Sequence, residues 1–95
     1  MYLHLGGEWT VDSSEIIGIF DLDRTTVKKK TREFLSAAEQ KGKVVYTSLE
    51  LPKAFLVCQK EDKEKVFITQ LSCQTLLSRY ERWGKGREID SPELR

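Results

Sequence analysis

The sequence has little of what usually announces a function. It holds two cysteines, Cys58 and Cys73, in 95 residues, too few for the disulfide framework that staples small secreted domains. They form no CxxC pair, and neither His4, the single histidine, nor any carboxylate cluster suggests a metal. Two reduced, partly buried thiols are expected, with no cofactor. No apolar run approaches the roughly 20 residues that span a bilayer, so no membrane segment is expected. Nor is there a charged leader followed by a long apolar run, and the expected location is the cytoplasm. Charge of one sign is missing too. The net charge is +1 and the pI about 7.7, below the pI of about 9 that marks an obvious nucleic-acid-binding domain. Any contact with DNA must come from a local patch, or from a patch repeated by an oligomer. There is no nucleophile elbow, no phosphate-cradling glycine loop and no pair of carboxylates. An enzyme is therefore not expected. Internal repeats and low-complexity segments are also missing.

What is present suits one small domain: 39% hydrophobic residues and 33% charged. A domain of this size buries a modest fraction of its surface, so self-association would help it. The stretch from Met1 to Val11 reads strand, Gly-Gly turn, strand, with Gly6-Gly7 as the tight turn. Ile16 to Leu22 is a strong strand, apolar on both faces and so expected at the centre of a sheet. Asp23, Thr25 and Thr26 are competent N-caps for a helix from about Thr26 to Gln40. Val27, Thr31, Phe34, Leu35 and Ala38 form its apolar stripe, and Gly42 stands at the C′ position. Strands are predicted at Val44–Ser48, Ala54–Lys60 and Lys65–Gln70, with Leu49–Lys53 as a loop containing Pro52 and Glu61–Glu64 as a charged turn. Ser72 is placed to cap a second helix, Cys73–Trp83, with Leu76, Leu77 and Tyr80 on one face and Gly84-Lys85-Gly86 as its end. The order β-β-α-β-β-β-α predicts an α+β fold with a small, mostly antiparallel sheet, one central helix and a C-terminal helix. Residues 1–84 form the domain, and residues 85–95 a polar, flexible tail.

These residues, in this order, resemble the bacterial extracellular matrix regulatory proteins RemA and RemB, the RemB branch more closely. The resemblance is carried by Tyr2, His4, Leu5 and Gly6, by Ile16-Ile17-Gly18-Ile19-Phe20-Asp21 and by Glu33-Phe34-Leu35. Pro52-Lys53, Leu71-Ser72 and Thr75-Leu76 extend it, so that it covers about residues 1–82. It implies a small cytoplasmic protein that closes into a homo-oligomeric ring. The RemA branch binds DNA and activates biofilm-matrix genes, and it uses twin arginines in the loop before the fourth strand. Here that loop reads Leu49-Glu50-Leu51-Pro52-Lys53. Only Lys53 falls on a basic position of the pattern, and Glu50 would repel a phosphate.

The densest basic cluster is Arg24, Lys28, Lys29, Lys30 and Arg32. Basic side chains sit poorly at the positive end of a helix dipole, unless a phosphate is drawn to the same place. At 100° per residue, Lys28, Lys29 and Arg32 share the outer face. That face is either ordinary solvated surface or an anion contact. Lys53 is either a phosphate contact or an exposed lysine beside a strand. Leu49, Glu50 and Leu51 are either a surface loop or a subunit contact, and the two leucines are too apolar to sit comfortably in water. His4, on the polar phase of its strand, is read as structural or exposed. Trp9 and Trp83 suit packing or an interface better than base stacking, and Lys85-Gly86-Arg87 reads as a basic tail that aids solubility.

Two functions fit. The first is a ring-forming regulator that binds double-stranded DNA through Lys53, Lys28, Lys29 and Arg32, with affinity built by avidity. The second is a ring-forming protein-interaction module that has lost DNA binding and partners a paralogous regulator.

Overall fold

Most local patterns in the sequence become the element they predict, while their lateral arrangement differs from expectation. The computed structural model describes residues 2–22 and 28–89, with side chains as far as Glu81. The elements are β1 (Tyr2–Gly6), β2 (Trp9–Asp12), a 3-10 turn (Ser13–Glu15), β3 (Ile16–Asp21), α1 (Lys29–Gln40), β4 (Val44–Tyr46), β5 (Ala54–Lys60), β6 (Lys63–Thr69) and α2 (Cys73–Ile89). The fold is α+β and mostly antiparallel. Three strands precede α1, the two of the expected hairpin, with Trp9–Asp12 pairing β1, and β3, one more than the predicted order β-β-α-β-β-β-α counts. The strands also divide into two sheets, the β1–β2 hairpin and a four-stranded sheet ordered β3-β5-β6-β4, in which β4 runs parallel to β6.

The hairpin turn is Gly7-Glu8, one residue later than predicted. Gly6 pairs with Trp9, and the register shifts between His4 and Gly6. Both glycines hold positive φ, +109° and +59°, which only glycine adopts cheaply. The shift works as a bulge at Leu5. The Leu5 carbonyl is used outside the hairpin, accepting from Thr69 Oγ1 at 2.6 Å and from Thr47 Oγ1 at 3.3 Å. Two buried threonines thus tie the hairpin to the larger sheet, and they satisfy a polar group that burial would otherwise penalise.

β3 is an edge strand, contrary to the central position expected from its two apolar faces. One face lies on the core; the other is largely open, and its apolar residues meet solvent. Alternation along β5 sorts the sheet into two faces. Ala54, Leu56 and Cys58 face Leu3, Leu5, Val11 and Leu76. Phe55 and Val57 face α1, where they join Ala38, Val66 and Ile68, with Leu35 and Val44 packed beside them.

α1 begins at Lys29 and not at about Thr26. Lys28 is its N-cap, with extended backbone and no side-chain cap hydrogen bond. The candidate caps Asp23, Thr25 and Thr26, the stripe residue Val27 and the basic Arg24 lie outside the described residues. The C-terminus of α1 matches expectation. Gly42 takes φ +71°, its N–H donates to Glu39 O, and the Lys43 N–H donates to Ala38 O, each at 3.0 Å. That pair of bonds is a Schellman motif.

Ser72 caps α2, its Oγ accepting from the Thr75 N–H at 3.0 Å. Only Leu76 of the predicted apolar face enters the core; Leu77 and Tyr80 remain exposed. α2 also runs through Gly84 and Gly86 to Ile89, where the sequence predicted a stop. A glycine inside a helix costs about 1 kcal/mol, which weakens a helix without breaking it. Residues 90–95 of the predicted tail, and the side chains of Trp83, Lys85 and Arg87, lie outside what the structure describes.

Candidate nucleic-acid interface and the apolar groove

Lys53 continues the sheet ladder just before β5. Its N–H donates to Thr69 O at 2.9 Å, and its carbonyl accepts from the Leu22 N–H at 2.8 Å. Ala54 faces the hairpin, so alternation puts Lys53 on the opposite face, the one α1 covers. α1 follows β3, and its first turn therefore begins from the same end of the sheet. Lys28, Lys29 and Arg32 are exposed, and Lys28 and Arg32 are neighbours one turn apart. Arg32 lines a shallow depression of about 310 Å³ together with Leu22, Glu39, Tyr46 and Pro52. The Tyr46 hydroxyl donates to Glu39 Oε2 at 3.1 Å. Its pKa is raised by partial burial and by that carboxylate. The four sequence-predicted residues thus fall on the α1 side of the sheet, where Arg32 and Pro52, the residue before Lys53, line the same depression. No acidic residue occupies the first turn of α1, which leaves its positive dipole end beside basic side chains.

The loop between Thr47 and Lys53 is held at both ends. The Thr47 N–H donates to Ile68 O at 3.0 Å, and the Glu50 N–H donates to Ser48 Oγ at 3.0 Å. Held in this way, it presents Leu49 and Leu51 outward, at 104% and 78% exposure. His4 serves the hairpin: its Nε2 lies 2.9 Å from the Gly7 carbonyl oxygen, to which it donates. Trp9 packs on Phe67 with ring centroids 5.8 Å apart, a packing role as expected.

Two features were missed in the sequence. The first is an apolar groove of about 300 Å³ beside α1, lined by Ile17, Phe20, Lys30, Phe34, Phe55 and Val57. Phe20 stacks on Phe55 at 4.9 Å between centroids, and Phe34 approaches Phe55 at 6.2 Å. The two apolar faces of β3 were its signal, taken for centrality. The second is a cleft of about 700 Å³ between the hairpin and the far end of β5–β6. Lys60 and Lys63, directly paired across the turn, line it together with Lys65, Asp12, Glu15 and Glu61. The register that sets these lysines side by side is not visible in the sequence. Cys58 at its wall is kept protonated, its pKa pushed up to about 11 chiefly by burial, with Glu15 adding to the shift. Such a thiol is no nucleophile at neutral pH. Among the described residues no group of His, Cys, Asp or Glu side chains is arranged to hold a metal ion, and no helix is long and apolar enough to cross a membrane.

No protein-family model matches the chain. Extracellular matrix regulatory protein B of Bacillus subtilis (strain 168) is 34% identical to it over 79 residues, which span 83% of this chain and 89% of that protein.

Proposed function

Because the chain belongs to the extracellular matrix regulatory protein family, we propose that it regulates matrix formation as a ring-forming homo-oligomer on double-stranded DNA. Each subunit offers a weak basic patch of Lys53, Lys28, Lys29 and Arg32. Repetition around the ring turns weak patches into useful affinity, and contacts confined to phosphates give position without base reading. A cytoplasmic location follows from the same reading. The observation that carries it is that Arg32 and Pro52, the residue before Lys53, line one depression on the α1 side of the sheet.

The test is fluorescence anisotropy of a labelled duplex titrated with the full chain at low and at moderate salt. Phosphate contact predicts saturable binding that falls steeply as salt rises. The double variant Lys28→Glu with Lys53→Glu abolishes it while the fold is kept. Absence of binding at low salt defeats the DNA reading. The second reading, a ring-forming protein-interaction module that partners a paralogous regulator, then takes its place. Glu50, between two exposed leucines in the loop before β5, is the observation that favours that alternative.

A further inference from the structure

An edge strand that is apolar on both faces needs two coverings, and among the described residues β3 has one. Its hairpin-side face joins the core through Ile16 and Ile19. On the other face Ile17 and Phe20 are 61% and 46% exposed, and across the groove Phe34 of α1 is 38% exposed. Among the described residues, Lys30 is the single charged one lining that groove. Elsewhere on the same chain the Leu49–Glu50–Leu51 loop has the complementary form. Two leucines stand in solvent on a backbone fixed by hydrogen bonds, with one acid between them.

We propose that the Leu49–Glu50–Leu51 loop of one copy seats in the Ile17–Phe20–Phe34 groove of the next, with Glu50 facing Lys30. The inference rests on the assembly reading above and names the surfaces that make the contact. Three observations support a second copy as the occupant. The apolar content of loop and groove matches. The single charge of each is opposite in sign, as complementary surfaces require. Finally, loop and groove share no residue: the loop runs from β4 to β5, and the groove is lined by side chains of β3, β5 and α1. A contact between two different patches is heterologous, so each copy keeps a free loop and a free groove, and the arrangement propagates head to tail into a ring or a filament. Glu50, a poor phosphate neighbour, acquires a role in this contact.

Sedimentation of the full chain tests it, with circular dichroism as the check on folding. The wild type is expected to assemble. The loop variant Leu49→Asp with Leu51→Asp and the groove variant Phe34→Asp are each expected to sediment as the 11.0 kDa monomer. Mixed in equal amounts, they are expected to form a dimer that grows no further, because one intact loop meets one intact groove. If Phe34→Asp does not fold, Ile17→Asp at the more exposed end of the groove replaces it. Glu50→Lys and Lys30→Glu each weaken assembly, and the two combined in one chain restore it. Variants that assemble like the wild type, or a mixture that stays monomeric, overturn this contact and leave assembly by another surface standing. A wild type that is monomeric at its highest soluble concentration overturns the assembly reading itself.

Discussion

The two faces of the four-stranded sheet are built from similar residues and finished differently. Toward the hairpin, Leu3, Leu5, Leu56 and Leu76 are at most 1% exposed, because β1–β2 and α2 both cover that side. Toward α1, Phe55, Val57, Val66 and Ile68 are buried, yet the rim formed by Ile17, Phe20 and Phe34 is open. One twelve-residue helix does not span four strands. The contrast shows that apolar patterning in a strand encodes burial without saying whether the cover comes from the same chain.

The largest effect should come from cutting into the closed face. Leu56→Ala leaves a cavity with covering elements on both sides and should cost about 2–5 kcal/mol in urea unfolding. A cost under about 1 kcal/mol would mean that this face collapses freely and is no tighter than the other. Next comes the tether. Thr69→Val removes the 2.6 Å bond to the Leu5 carbonyl and the acceptor for the Leu71 N–H. The expected loss is about 1–3 kcal/mol, with hydrogen exchange in β1 and β2 accelerating ahead of exchange in β5. Uniform acceleration would show that the hairpin is not separately hinged.

On the open side, Gly42→Ala at the end of α1 meets nothing within 4 Å. Its cost is therefore the φ of +71° alone, about 1–2 kcal/mol in thermal or urea melts. The pH dependence of the closed face has a definite sign. The Cys58 thiol is raised from 9.0 to about 11 in the folded protein. The unfolded state then loses its proton first, so this contribution is complete below pH 9 and is lost as the pH climbs through 11. Melting temperatures across that window should fall, and Cys58→Ala should flatten part of the slope. The smallest effect belongs to the open rim: Ile17→Ala should change the stability of the isolated chain by no more than about 0.5 kcal/mol. A large loss there would erase the distinction between the two faces.

The candidate interface is partly legible in the residue order. Lys28, Lys29 and Arg32 share a helix face by spacing alone, and Pro52-Lys53 stands before a clear strand. Their common side of the sheet follows from the β3–α1–β4 crossover and the place of β5 beside β3, which residue spacing does not record. The groove is visible there only as an excess of apolar residues in Ile16–Phe20, a pattern that equally suits a central strand. Of Leu76, Leu77 and Tyr80, helical spacing selects all three as one face, but α2 meets the rest of the fold along a narrower line and buries Leu76 alone.

What the sequence by itself determined is local. Ser72 caps α2, Gly42 ends α1, and alternation makes Ala54–Lys60 a strand, because each rests on contacts within a few residues. Tertiary structure alone decided that the hairpin turns at Gly7-Glu8 so that a bulged Leu5 carbonyl reaches Thr47 and Thr69. It also put β3 at an edge and left a groove beside α1. Those outcomes depend on hydrogen bonds and packing between segments tens of residues apart, for which the period of a single segment carries no information.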